Sequence, residues 1–271
     1  MSVPDLKTQS VPALERGLRV LECLADSQLG LTLAQITRSM DLPKSTVHGL
    51  LLTFQRSGYV QREDATGRYR LGGGLFRLAN VALPALPVRE QAAPLLRALA
   101  EKTRLTVHMA ALDHDELVLI ARMSLSGAVA PATWIGRRMD FHCTAVGKAV
   151  LAWAERDDIE RLIRKHGMLR HNDNTIVSLR RLLADLEQVR RQGYAIDDEE
   201  EEIGMRCLGA PVVSQNGRVE AAVSLVGTTA QIDGESLPAL ARQVVGAACS
   251  ISALLAQSNA PPGLSAMTPQ G

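Results

Sequence analysis

At 271 residues the chain exceeds one ordinary domain, and two domains are the natural expectation. Hydrophobic residues at 46% suffice for packed cores, while aromatics at 3% leave those cores to Leu, Val, Ile and Ala. A net charge of +1 excludes a strongly basic or acidic protein. No run of roughly 20 apolar residues argues for a membrane span, and the start of the chain lacks the basic-then-apolar pattern of a secretory leader. Cys23, Cys143, Cys207 and Cys249 are dispersed without a Cys-x-x-Cys pair, which argues for cytoplasmic thiols rather than a disulfide scaffold or a zinc site.

Residues 1–10 read as disordered. Residues 11–26 predict a helix with Leu14, Leu18, Leu21 and Ala25 on one face and Arg16 and Arg19 off it. Thr32 and Gln35 have capping-box spacing for a short helix with Leu33 and Ile36 as its apolar side. A turn at MDLPK leads to a second helix over 43–56, where Pro43 suits the first turn. Val47, Leu50, Leu51 and Phe54 form its buried face, and Ser45, His48, Gly49 and Leu52 point outward. A short braced helix of this kind fits a major groove. GYVQR and RYRL follow as extended runs joined by EDATG. There Tyr69 and Leu71 pack while Arg68 and Arg70 face phosphate. Residues 11–72 thus read as a winged helix-turn-helix. Residues 1–90 hold 11 Lys/Arg against 8 Asp/Glu, a small excess of the sign DNA requires.

The glycine triplet at 72–74 breaks the chain, and 73–88 reads as a linker helix ending at Pro84 or Pro87. A helix over about 89–103 precedes two strands, LTVHMAALD and ELVLIARM, turning at His114–Asp115. TAVGKAVLAWA reads as helical and small-residue-rich, and a further helix spans about 178–193. YAIDDEEEEIGMRCLGAPVV and RVEAAVSLVG read as two strands meeting at Asn216–Gly217, a hairpin signal. A last helix, about 236–257, precedes a Pro-rich tail expected to be disordered over 258–271. Helices around an antiparallel sheet make residues 89–257 an α+β domain.

HCTAVGKAV contains Gly-Lys, but His142 and Ala149 occupy the positions where a Walker loop needs glycine and Ser/Thr. The segment is instead a helix N-terminus whose small residues, Ala145 and Gly147, allow close approach. The approaching group is either an anion or simply the sheet. The six acids Asp197–Glu202 read as a solvated loop or helix start rather than a cation site, with Asp197 set apart at a strand end. Cys207, His108 and Asp197 could form a nucleophile triad only if the fold brings them together. No nucleophile elbow surrounds Cys207, and a buried structural cysteine is commoner. Met109 and Trp134 are candidate apolar pocket walls. Two functions compete: a ligand-responsive DNA-binding regulator, and an enzyme with a helical appendage. No acid–base pair at defined spacing supports the second, and neither a cofactor nor a metal is expected.

ALERGLRVLE, LPKSTVHGLL, RYRLG, HCTAVGKAVLA, GYAIDDEE, GMRCLGAPV and AAVSLVG, in this order and spacing, resemble the IclR-type transcriptional regulators over nearly the whole chain. The resemblance implies a winged helix-turn-helix, a linker helix and a C-terminal GAF-like effector-binding domain. It also implies a homodimer or homotetramer on palindromic double-stranded operator DNA. It places Lys44, Ser45, Thr46, His48, Gly49, Arg56, Arg68 and Arg70 at DNA. Gly49 stands where relatives commonly carry arginine, shifting the readout onto its neighbours. The pocket positions it implies are Asp197, Met205, Cys207 and Ser224. An organic acid is expected there, its anion at the backbone of Ala145, Val146 and Gly147, with Met109, Trp134, Met205 and Val226 sorting ligands by shape. Some relatives have a polar residue at Val226, which points to a less hydroxylated ligand here.

Overall fold

A computed structural model describes residues 11–27, 29–82, 87–113, 115–125, 133–214 and 216–258. The expectations for residues 1–10, for a helix end at Pro84, for His114 and for the tail beyond Ser258 lie outside these residues. The described chain falls into two compact units, one reaching Ala82 and one starting at Pro87.

The first unit contains α1 (Pro12–Ala25), β1 (Leu31–Thr32), α2 (Leu33–Met40), α3 (Lys44–Arg56), β2 (Val60–Arg62), β3 (Arg68–Leu71) and α4 (Gly74–Ala82). The Thr32–Gln35 capping box opens α2, satisfying two otherwise orphaned N–H groups. Asp41 ends α2 in a left-handed conformation, and Pro43 caps α3. Val47 and Leu51 are fully buried, with Leu50 and Phe54 packed beside them. The buried face of α1 differs from the expected one. Gly17, Val20 and Leu24 point inward, whereas Leu14 and Leu18 are exposed. Both stripes are apolar, and Gly17 decides between them: a Cβ there would stand 3.0 Å from the Phe54 ring, so α3 closes on the bare backbone. The wing is three-stranded, in the order β1-β3-β2, because Leu31–Thr32 adds a strand that the sequence reading assigns to no element.

The second unit contains α5 (Pro87–Thr103), β4 (Thr106–Asp113), β5 (Glu116–Met123), α6 (Ala145–Leu151), α7 (Arg156–His166), α8 (Leu179–Gln192), β6 (Ala195–Asp198), β7 (Met205–Val213), β8 (Val219–Thr228) and α9 (Leu237–Ser258). An antiparallel sheet in the order β5-β4-β8-β7-β6 is covered by α6, α7 and α8 on one face and by α5 and α9 on the other. Where one strand was expected over 194–213 there are two, β6 and β7, joined by the acidic turn. The Asn216–Gly217 hairpin forms, with Gly217 at φ 76° and the Asn216 side chain accepting from Arg218 N–H. Against the composition reading, Leu237–Ala256 in α9 is long and apolar enough to cross a membrane. It packs Leu240, Val244, Ala248 and Ile251 inward and lies against β7, β8 and α5.

Candidate nucleic-acid interface and interior cavity

The outward side of α3 carries exposed Lys44, Ser45, His48, Gly49 and Arg56, with Thr46 half-buried at its edge. Nothing lies within 4 Å of the position a Gly49 side chain would take. Arg70 is exposed on the wing and stands 3.9 Å from Glu63. Arg68 is committed elsewhere: its Nη1 donates to the Gly30 carbonyl at 2.7 Å, tying β3 to the chain ahead of β1. It therefore braces the wing more than it offers a free cation. Arg62, stacked on Tyr69, is an exposed wing cation that the sequence reading passes over.

In the second unit, strand alternation brings Asp197, Cys207, Val226, Ser224 and His108 onto one sheet face, through the pairs Asp197↔Cys207, Cys207↔Val226 and His108↔Ser224. The start of α6 lies over that face and closes a small cavity against it. Ala145, Val146, Asp197, Met205, Cys207, Ser224 and Val226 line it, as expected from sequence. His108, Thr133, Met139, Thr144, Glu201 and Glu202 complete the lining.

Three expected wall residues stand elsewhere. Met109 is fully buried one position out of phase, on the α5/α9 side of the sheet; His108 takes its place. Gly147 is against protein, not cavity: a Cβ there would overlap Asp140 and Phe141 backbone, and one at Gly209 would overlap the Ala145 carbonyl. Its smallness serves the seating of α6. Trp134 lies outside the lining, its ring under the Arg137 guanidinium at 5.7 Å.

The Thr144 hydroxyl accepts from Gly147 N–H at 3.0 Å and so caps α6. The N–H groups of Ala145 and Val146 have no acceptor among the described residues. Burial pushes the Asp197 carboxyl up to about 7, helped by Glu201 and Glu200, although Glu200 N–H donates to its Oδ1 at 2.9 Å. Burial, with Arg122 and Arg137, holds His108 down at about 4, so its imidazole is neutral; Nε2 lies 3.2 Å from the Thr133 hydroxyl. Burial and then the acids Asp197 and Glu201 raise the Cys207 thiol well above its ordinary range. His108, Asp197 and Cys207 thus do share one cavity, but the thiol is bonded to Asp197 and stays protonated. A nucleophile needs the thiolate. Among the described residues no lysine or arginine lines the cavity; Arg137 pairs with Glu201 at 2.8 Å beside it.

The acidic run is only partly solvated. Glu200 is buried and accepts from Lys148 Nζ at 2.5 Å, with Asp185 3.0 Å from the same ammonium. The lysine of the Gly-Lys pair is thus a structural cation under the acidic turn.

Residues 13–64 match the IclR helix-turn-helix domain, and residues 80–253 match the bacterial transcriptional regulator IclR C-terminal domain. The chain belongs to the IclR family. Relatives include the HTH-type transcriptional regulator XynR of Escherichia coli, 33% identical over 90% of this chain and 97% of that protein. The HTH-type transcriptional regulator KdgR of Escherichia coli is also 33% identical, over 95% and 97%. An IclR transcriptional regulator from Alicyclobacillus acidocaldarius superposes with a TM-score of 0.76 at 25% identity, over 91% of this chain and 100% of its own. As an IclR-family protein the chain is a DNA-binding transcriptional regulator and not an enzyme, of a family whose members are typically effector-controlled. His108, Thr133, Met139, Thr144, Glu201 and Glu202 are the cavity residues that sequence reasoning did not place there. The period of two along LTVHMAALD is a signal for His108, once Asp197, Cys207 and Ser224 set which face is inward.

Proposed function

We propose that this regulator binds a palindromic double-stranded operator as a homodimer or homotetramer in the cytoplasm. A small organic acid in the cavity between α6 and the sheet sets its operator affinity. The observation that carries the effector reading is the pair of unpartnered N–H groups, Ala145 and Val146, at a capped helix start bordering the cavity. A carboxylate there meets donors at the positive end of a helix, with the Ser224 hydroxyl and the neutral His108 alongside. Met139, Met205 and Val226 give the cavity its apolar shape. The exposed stripe Leu14–Leu18 on α1 and exposed Phe76 and Leu78 on α4 supply apolar surface for a second copy. Two recognition helices then span two half-sites. The DNA reading rests on the exposed side of α3, with Lys44, Ser45, Thr46, His48 and Arg56, and on Arg70 of the wing.

The test combines thermal-shift screening of small organic, sugar and aromatic acids with operator mobility shifts at two salt concentrations. A stabilising acid that changes operator affinity supports the proposal. A protein that responds only to neutral or cationic compounds, or that sediments as a monomer with and without operator, overturns the corresponding half.

A further inference from the structure

The loop leading into α6 presents an unassigned cluster. The Cys143 thiol is fully buried, is not in a disulfide, and has no hydrogen-bond partner among the described residues. Beside it, Asp140 Oδ2 lies 2.9 Å from His171 Nε2. One ligating atom from each of Asp140, Cys143 and His171 falls within 4.8 Å of the other two. We propose that Asp140, Cys143 and His171 form a binding site for a divalent transition metal of zinc type, with the fourth position open to an exchangeable ligand.

The donor set selects the ion. A thiolate, an imidazole and a carboxylate together suit zinc or cobalt(II), whereas magnesium and calcium take oxygen ligands. Two negative ligands match a dication. A tetrahedral zinc site needs ligand–ligand edges of about 3.3–3.6 Å. The Asp140–His171 contact, now 2.9 Å, therefore lengthens slightly, and the sulfur edges, within 4.8 Å, close by at most about 1.2 Å. Both segments are already held in place. The Thr144 hydroxyl donates to the Asp140 carbonyl at 2.5 Å while capping α6, which fixes the turn carrying Asp140 and Cys143. His171 N–H donates to Thr175 Oγ1, and the Asn172 amide donates to the Glu199 and Glu200 carbonyls, which pins the His171 segment to the acidic turn. Asp140 and His171 are partly exposed, giving an entry path, while Cys143 forms the buried wall. Cysteine spacing argues against zinc because it looks for a second cysteine. Here the partners are an aspartate three residues earlier and a histidine brought in by the fold.

Met139 and Thr144 bracket the two loop ligands, and both line the cavity. A bound ion would therefore stiffen the wall against which the effector rests.

The test uses the full chain, stripped with chelator and titrated with cobalt(II) chloride alone. The expected result is one cobalt per chain, with thiolate-to-cobalt charge transfer, tetrahedral d–d bands, and displacement by zinc. Cys143→Ala should remove the charge-transfer band. His171→Ala, at the surface and checked for native circular dichroism, should weaken cobalt binding by more than the roughly 10- to 100-fold typical of losing a supporting residue. Cys23→Ala and Cys249→Ala should leave the spectrum intact. No thiolate band in the wild type, or wild-type spectrum and affinity in both Cys143→Ala and His171→Ala, overturns the proposal.

Discussion

Lys148 Nζ donates to Glu200 Oε1 at 2.5 Å with the ammonium almost wholly buried, and this ion pair joins α6 to the acidic turn after β6. Burial alone would lower the lysine pKa, but Glu200 and Asp185 together outweigh it and hold the group charged. Breaking a buried pair leaves the partner charge stranded, which is worse than never having the pair.

Lys148→Met should therefore destabilise the protein by about 3–5 kcal/mol. Adding Glu200→Gln in the same chain should recover part of that loss, because the stranded carboxylate is gone. Urea melts of the two variants and the wild type measure both quantities. Equal stability of wild type and Lys148→Met would show that the pair carries nothing.

Asp197 titrates in the accessible range. Its folded pKa, raised by burial and then by Glu201 and Glu200 to about 7 from 3.8, means that folding favours its protonated form. The stability it contributes is complete below about pH 4 and is lost as pH rises through about 7. Asp197→Asn keeps the acceptor for Glu200 N–H and removes the titration. Its melting temperature relative to wild type should rise between pH 5 and pH 8. A difference that stays flat across that interval would mean that Asp197 is ionised throughout.

The helix-turn-helix of the first unit is legible because its signals are local, whereas in the wing only Tyr69 packs and Leu71, expected beside it, is exposed. The capping box, the proline-opened helix and the buried set Val47, Leu50, Leu51 and Phe54 depend on spacings of seven or less. The α1 face is not legible that way, since two apolar stripes compete and only the seating of Phe54 on Gly17 chooses between them. In the second unit Asp197, Met205, Cys207, Ser224 and Val226 meet as expected, through strand pairing. Met109 fails by a single residue of phase, which inverts the face of a strand. The α7 helix has Ile159, Leu162 and Ile163 inward, Asp157 and Asp158 first and Gly167 last, so its pattern is present in the sequence although the reading in chain order assigns it no element. The buried role of Glu200 is invisible in a run of six acids, because nothing local marks which of them Lys148 will reach.

On the first unit, Thr46→Ala and His48→Ala should each weaken specific operator binding by about 1–3 kcal/mol if they touch base edges. Arg70→Ala should weaken specific and non-specific binding alike and lower the salt slope by about one. Arg68→Ala should act differently, destabilising the wing by about 1 kcal/mol through the lost bond to Gly30. Gly49→Arg meets open space and should raise non-specific affinity. Mobility shifts across a salt series, with melting curves alongside, separate these effects. Unchanged binding in Thr46→Ala, His48→Ala and Arg70→Ala would remove α3 and the wing from the DNA.

The cavity variants test how ligand and operator are linked. An effector shifts DNA affinity only through its preference between two arrangements of the protein, and a typical coupling of about 1–3 kcal/mol changes affinity roughly 5- to 150-fold. Cys207→Trp fills the space between Asp197 and Val226, and Ser224→Ala removes a hydroxyl from the cavity wall opposite the start of α6. Neither residue belongs to the DNA-binding unit. Both variants should therefore bind operator like the effector-free wild type while losing the response to the acid found by thermal-shift screening. Gly147→Ala serves as the contrast. Its added Cβ meets the backbone of Asp140 and Phe141, so it should lower the melting temperature by unseating α6 rather than by touching the ligand. A normal response in both Ser224→Ala and Cys207→Trp would place the effector elsewhere.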